Sequence, residues 1–100
     1  MTTIQLRRYE LVPELMDQFL EWYPSVLPVR QQYGFRVLFA LFDRADREFT
    51  WAVAHDGDFD AVEAEYMASP ERAAVFAGQP VYTVAMHLSR VEAIDVAAFG

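Results

Sequence analysis

The feature that most constrains the fold is a pair of consecutive segments that are apolar at almost every position. Phe35–Phe42 is interrupted by a single arginine, and Phe49–His55 contains Trp51 and Val53. The five residues that follow the first segment, Asp43–Arg47, are mostly charged, which predicts two antiparallel strands joined by a polar turn. Strands of an antiparallel sheet with one solvated face alternate apolar and polar residues, and these strands do not. Both faces of this hairpin are therefore predicted to be buried.

Strand and helix patterns flank the hairpin. Ile4–Leu11 alternates imperfectly and is predicted to form a first strand, and Val81–Val91 a last one. A helical pattern opens at Pro13, and because Pro24 lies within it, we expect a kink or break near Tyr23. The apolar stripe of this helical region is predicted to be Leu15, Phe19, Trp22, Tyr23 and Val26.

Two further helix starts lie between the hairpin and the last strand. Either Asp58 or Asp60 can cap the first of these helices. Ser69, followed by a proline, opens a shorter helix that continues through Phe76. The buried face of the longer helix is predicted to be Phe59, Val62 and Tyr66.

The predicted order is strand, helix, strand, strand, helix, strand. This is the split βαβ arrangement of an α+β ferredoxin-like sandwich with one antiparallel sheet, here a single domain over residues 1–100. Both helical regions of such a unit cover one face of the sheet and leave the other bare. Because the hairpin is apolar on both faces, a monomer would expose a patch prone to aggregation. We therefore expect a homodimer that packs two sheets together around a lumen or a filled core, as in a dimeric α/β barrel.

Composition excludes several classes of protein. The 100-residue chain has no cysteine, so a disulfide framework, a thiolate metal site and a cysteine nucleophile are excluded. Its net charge of −7 argues against a nucleic-acid partner. Because no basic segment followed by an apolar run opens the sequence and no stretch is long enough to span a bilayer, we expect a cytoplasmic protein without a membrane partner.

Four short motifs stand out along the chain: Leu6-Arg7-Arg8-Tyr9, Leu27-Pro28-Val29-Arg30, Tyr33-Gly34-Phe35-Arg36 and Ser69-Pro70-Glu71-Arg72. In combination they resemble the NIPSNAP family of dimeric α/β-barrel proteins. They occur in the order of the family, and the resemblance runs from Ile4 to Val91. It implies a ferredoxin-like protomer that dimerises through its sheet. It also implies a fold similar to that of antibiotic-biosynthesis monooxygenases, which use a lumenal pocket without a metal or flavin.

The first strand supplies a candidate ligand site. Arg7 and Tyr9 share one strand face with Gln5. If that face lines the dimer lumen, a guanidinium beside a phenol can hold an anionic or phenolic ligand. In the alternative interpretation, Arg7 pairs with a carboxylate across the dimer and Tyr9 simply packs.

The two histidines are the side chains best suited to act as a base near neutral pH. His55 continues the face of Trp51, whereas His87 lies on the last strand, so the two imidazoles need not meet. In an enzyme, Arg7 and Tyr9 would orient the substrate, Trp51 would stack on it and His55 would be the base, with His87 a further ligand-binding candidate. A lone histidine among apolar neighbours is, however, more often a hydrogen-bonded core or edge residue than a catalytic base.

A metal site and a cofactor are not expected. Asp56, Asp58 and Asp60 resemble the start of a calcium loop, but Ala61 stands where that loop requires glycine and Met67 replaces its closing glutamate. Helix capping explains the acidic residues instead.

The sequence thus predicts a NIPSNAP-like protein, a homodimer with a small-molecule pocket between sheet and helices. A cofactor-independent monooxygenase or isomerase acting on an aromatic or polyketide-like substrate is one alternative. A non-catalytic structural or interaction module is the other. A functional pocket should measure roughly 300 Å³ or more and be reachable from solvent.

Overall fold

Four strands form one antiparallel sheet in the order β2-β3-β1-β4. In this computed structural model, which describes residues 1–98, β1 is Thr3–Leu11, β2 Arg36–Asp43, β3 Glu48–His55 and β4 Thr83–Val91. Chain order and sheet order together are those of a ferredoxin-like sandwich, so the predicted α+β fold is confirmed. Of the predicted domain 1–100, residues 99 and 100 lie outside the described residues.

The first crossover is a series of short helical segments, as the proline pattern predicts. It comprises a 3-10 turn Pro13–Leu15, helix α1 Met16–Trp22, a 3-10 turn Tyr23–Val26 and helix α2 Leu27–Gln32. The break falls where Pro24 removes a backbone N–H from the helical ladder. Gly34 ends the region with a φ of 87°, a left-handed conformation that glycine adopts without a steric penalty. No helix among residues 1–98 is long and apolar enough to cross a membrane.

The second crossover consists of α3, Phe59–Met67, and α4, Pro70–Phe76. Of the two predicted caps for α3, Asp58 is the one used, since its Oδ1 accepts from the Ala61 N–H at 3.1 Å. Ser69 caps α4 by accepting from the Arg72 N–H at 3.1 Å. The caps fix where both helices begin, and thereby which residues of α3 and α4 point at the sheet.

The register of β2 differs from simple alternation. Val37 pairs with Val53, but Phe39 pairs with Ala52, so a bulge at Leu38 inserts one residue. Cross-strand partners share a face, and the bulge therefore moves Phe39 to the face opposite Val37, rather than leaving the two together as alternation predicts. The physical reason is that an extra residue reverses the parity of every side chain after it.

The hydrophobic core lies between the sheet and the helices. Phe19 of α1 packs edge-on against Phe49 of β3, with ring centroids 4.9 Å apart. Tyr23 packs on the same ring at 4.6 Å. On β1, Tyr9 and Leu11 face this cluster and are buried. We call this side of the sheet the helix face.

The opposite side of the sheet, which we call the open face, is also apolar. One row of apolar residues on this face crosses three strands: Leu6 of β1 lies beside Ala52 of β3, and Ala52 lies beside Phe39 of β2. Phe39 and Leu41 remain 41% and 62% exposed. The prediction that both faces of the hairpin are buried holds on the helix face of β3, where Trp51 and Val53 are buried. It does not hold for Phe39 and Leu41 within the protomer, because the helices pack on the other side of the sheet, and burial of the open face requires a second surface. The apolar part of the open face comprises Ile4, Leu6, Phe39, Leu41, Ala52 and Ala54, and the polar side chains of Arg8, Thr50 and His87 lie on the same face.

We predict that Trp51→Ala lowers the free energy of unfolding by about 3–5 kcal/mol. The side chain is 3% exposed, and its ring packs edge-on against Tyr23 with a centroid distance of 5.2 Å. Truncation therefore removes a large buried ring and leaves a void. Urea unfolding followed by circular dichroism measures the change. A loss below about 1 kcal/mol would contradict a packing role for this ring.

Candidate ligand-binding site

A cavity of about 310 Å³ lies between the helix face of the sheet and the helices. Buried side chains of the sheet, among them Tyr9 and Trp51, line its interior, and exposed Met67, Val81 and Met86 lie at its mouth. The volume reaches the roughly 300 Å³ expected of a functional pocket, and the exposed mouth makes the cavity reachable from solvent.

Arg7, Tyr9 and Gln5 are joined on β1 as their spacing predicts. Arg7 Nε donates to the Tyr9 hydroxyl at 2.8 Å, and Arg7 Nη1 donates to Gln5 Oε1 at 2.6 Å. The guanidinium carbon of Arg7 also lies 5.5 Å from the centre of the Trp51 ring. These groups face the helices of their own protomer, where Arg7 lies 3.9 Å from Glu63. The Arg7 contacts thus form within one chain, and the predicted pairing across a dimer is not needed to satisfy it.

Arg30 is a second buried cation, which the sequence analysis did not select. Its side chain is 2% exposed and forms a two-pronged ion pair with Glu63, at 2.6 Å from Nη1 to Oε2 and 3.3 Å from Nη2 to Oε1. Its guanidinium carbon lies 4.1 Å from the Tyr66 ring centre. Arg30 is the one charged residue in Leu27–Gln32, and it follows the buried Val29. A single charged residue in a short helix that leads into the apolar β2 is the sequence signal that could have identified it.

The charge balance around the cavity is positive although the chain is acidic. Arg7 and Arg30 share the single carboxylate of Glu63. Arg72, which also lines the cavity, stacks over the Phe76 ring at 4.0 Å. Within the described part of the chain no carboxylate lies in ion-pair distance of Arg72. Three guanidinium groups therefore face one carboxylate around this cavity.

Four buried side-chain atoms lack a hydrogen-bond partner within the described protein. They are Tyr23 Oη, Arg30 Nε, Trp51 Nε1 and Arg72 Nε. Each of these residues lines the cavity. An unpaired buried donor costs about 1–3 kcal/mol, so four around one cavity form an unusual concentration of unmet hydrogen-bonding capacity.

Two phenols of the cavity, Tyr23 and Tyr66, have a raised pKa and stay protonated at neutral pH. Burial raises the pKa of Tyr23 far above its ordinary value, and the nearby Tyr9 phenol raises it further. Burial also raises the pKa of Tyr66, against a smaller lowering by Arg30. At this site both groups therefore act as neutral hydroxyls that can donate a hydrogen bond, and neither is a base.

His55 lies on the helix face but not in the cavity lining. Its Nδ1 accepts from the Gly57 N–H at 2.9 Å, and its ring lies 5.2 Å from that of Phe35. A Cβ added at Gly34 would stand 3.0 Å from His55 Nε2. His55 is therefore packed into the turn between β3 and α3, and the structure does not place it beside Arg7 and Tyr9.

His87 lies on the opposite side of the sheet from the cavity. It pairs with Arg8 in the β1–β4 ladder, and its Nε2 is 2.9 Å from Glu10 Oε2. Both members of that pair are about half exposed. The structure thus brings Arg7, Tyr9 and Trp51 together at one cavity and separates both histidines from it.

The folds of solved structures agree with this architecture. A NIPSNAP domain protein from Burkholderia xenovorans matches with a TM-score of 0.77 at 17% identity, covering 94% of this chain and 95% of that one. A NIPSNAP family protein from Agrobacterium tumefaciens matches with a TM-score of 0.81 at 8% identity, covering 95% of each chain. A proposed antibiotic biosynthesis monooxygenase from Bacteroides thetaiotaomicron matches with a TM-score of 0.74 at 15% identity, covering 94% of this chain and 90% of that one.

These likenesses confirm at the level of fold the resemblance that the sequence motifs predict. No protein-family model and no curated protein sequence matches the chain. The protein therefore has the ferredoxin-like fold of NIPSNAP-domain proteins, which it shares with a monooxygenase-like neighbour, and the neighbours establish no activity for it.

We predict that Glu63→Gln destabilises the protein by about 3 kcal/mol, because it leaves the buried Arg30 guanidinium without its counter-charge. Asp17→Asn is the matched control, since it breaks the Arg44–Asp17 pair, whose side chains are 60% and 84% exposed. The control should change stability by less than about 0.5 kcal/mol. Equal effects in urea unfolding would show that the Arg30–Glu63 pair is not a structural requirement.

Proposed function

We propose that the protein binds a small molecule with an aromatic or otherwise apolar body in the cavity between its sheet and helices. The observation that carries this proposal is the open cavity of about 310 Å³, whose walls are largely aromatic. Sites of this kind combine apolar walls with a few fixed polar groups.

The walls of the cavity are held in place before any ligand arrives. Trp22 stacks on Tyr82 with ring centroids 5.1 Å apart, and its Nε1 donates to the Val75 carbonyl at 2.9 Å. This bond ties α1 to α4 across the cavity. On the sheet side, the bonds from Arg7 to Tyr9 and Gln5 fix the polar groups. Because these side chains are already ordered, binding a ligand costs little side-chain conformational entropy.

Binding is better supported than base catalysis. Among the described residues that line the cavity there is no histidine, aspartate or glutamate. The monooxygenase or isomerase alternative assigned the base to His55, which lies elsewhere on the helix face. A purely structural module, in turn, would need its interior filled by its own side chains, and this cavity is open. A ligand-binding protein therefore accounts for more of the observed geometry than either alternative.

We predict that isothermal titration calorimetry detects 2-naphthoate or its neutral analogue 2-naphthamide bound once per protomer, with a Kd near or below about 1 mM. Thr83→Trp, which places a large ring among the lining residues, should abolish the binding.

Leu88→Trp is the matched control for that experiment. Leu88 lies on the same face of β4 but outside the cavity lining, and its substitution should leave binding unchanged. If neither probe binds, or if Thr83→Trp and Leu88→Trp bind equally well, the cavity is not a ligand site.

We propose further that the open face pairs with the open face of a second copy. Its centre is apolar, as on the Leu6–Ala52–Phe39 row. Charged and polar side chains border that row on the same face, among them Arg8, which lies between Thr50 and His87 and pairs with partly exposed Glu48. An apolar centre with a polar rim is typical of interfaces between subunits, and a two-fold axis lets one such face cover its own copy.

The expected state is a dimer at micromolar concentration by light scattering. Leu41→Glu should convert it to a monomer, because it places two charges in the interface. Met67→Glu, on α3 at the cavity mouth, is the matched control and should remain dimeric with an unchanged circular dichroism spectrum. A wild-type monomer, or a Leu41→Glu dimer, would refute the proposed interface.

A further inference from the structure

We infer that the ligand of this cavity carries a carboxylate, held at the subsite formed by Arg30, Trp51, Tyr23 and Arg72. The inference rests on the proposed function, since it names the polar group of the molecule bound there. It differs from the sequence-based hypothesis, which assigned an anionic or phenolic ligand to Arg7 and Tyr9.

The unpaired groups of the cavity are all donors. Arg30 Nε and Trp51 Nε1 are N–H groups that cannot accept a hydrogen bond, and Arg72 Nε is a third. The Tyr23 hydroxyl stays protonated because burial raises its pKa. A complementary ligand group must therefore be an acceptor. A carboxylate offers about four lone-pair positions and can accept from several such single donors at once.

These donors are deeply buried. Arg30, Trp51 and Tyr23 are 2%, 3% and 8% exposed, yet each lines the cavity. Hydrogen bonds to a charged partner are about twice as strong as neutral ones in such surroundings. An anion is therefore worth more at this subsite than a neutral carbonyl of the same shape.

The local charge favours an anion as well. Arg7 is held in place by bonds from its Nε to Tyr9 and from its Nη1 to Gln5, and its positive charge stays at the cavity wall. Both Nη groups of Arg30 are committed to Glu63. With three guanidinium groups around one carboxylate, the cavity keeps an excess of positive charge that a ligand carboxylate neutralises.

The aromatic surroundings select a flat, apolar body for that carboxylate. Tyr66 has the Arg30 guanidinium at 4.1 Å and that of Arg72 at 5.9 Å from its ring centre. Several other lining side chains are aromatic, among them Trp22 and Phe76, and most of the rest are aliphatic. The class of ligand is therefore an aromatic or similarly planar carboxylic acid, with the acid end inside and the apolar end toward the mouth.

The test compares 2-naphthoate with 2-naphthamide, which match in shape and differ in charge. We expect calorimetry to give a Kd at least about tenfold lower for 2-naphthoate. If the two probes bind with equal affinity and Thr83→Trp abolishes the binding of both, the carboxylate subsite is overturned while the proposed function is sustained. Failure of both probes to bind would overturn the two proposals together.

A charge-removing variant locates the subsite. Arg72→Gln should weaken 2-naphthoate about fivefold or more and leave 2-naphthamide within about twofold. Arg44→Gln removes the same charge from an exposed turn outside the cavity and should change neither affinity. Equal effects of the two substitutions on 2-naphthoate would show a general electrostatic attraction in place of a built site.

Discussion

The buried Arg30–Glu63 ion pair is the interaction on which the rest of the helix face depends. It joins α2, at the end of the first crossover, to α3 in the second, and Glu63 also lies near Arg7 on β1. Three segments far apart in the chain therefore meet at one carboxylate. Because burying a guanidinium is costly unless it is paired, this contact constrains how both crossovers sit on the sheet. The cavity lies beside that contact, and the three arginines that line it outnumber the single carboxylate of Glu63.

The two faces of the sheet differ in how far they are buried within the protomer. The helix face holds the core and the cavity, while the open face leaves Phe39 and Leu41 exposed, as the proposed dimer interface requires. The bulge at Leu38 makes this division possible on β2, since it moves Phe39 and Leu41 to the open face while Val37 stays with the core. A strand that is apolar throughout can in this way contribute to a core on one side and to an interface on the other.

The histidines show why residue type alone is a weak guide to function. Both were candidate bases because imidazole titrates near neutral pH. His55, however, accepts a hydrogen bond from the Gly57 N–H, and His87 lies beside Glu10 on the face of the sheet opposite the cavity. The groups that surround the cavity are arginines, phenols and indoles instead. Such groups suit the proposed binding and orientation of a ligand, and the fold shared with a monooxygenase-like neighbour does not by itself add a base.

The sequence by itself determined the order of elements, the break at Pro24 and the shared strand face of Arg7 and Tyr9, because each depends on local periodicity and backbone chemistry. Only the tertiary structure decided that Arg30 and Glu63 form the buried pair of the site. They are 33 residues apart, and no local pattern specifies which carboxylate a guanidinium will meet. The same holds for the bulge at Leu38, since register is set by packing across strands and is invisible in the residues of one strand.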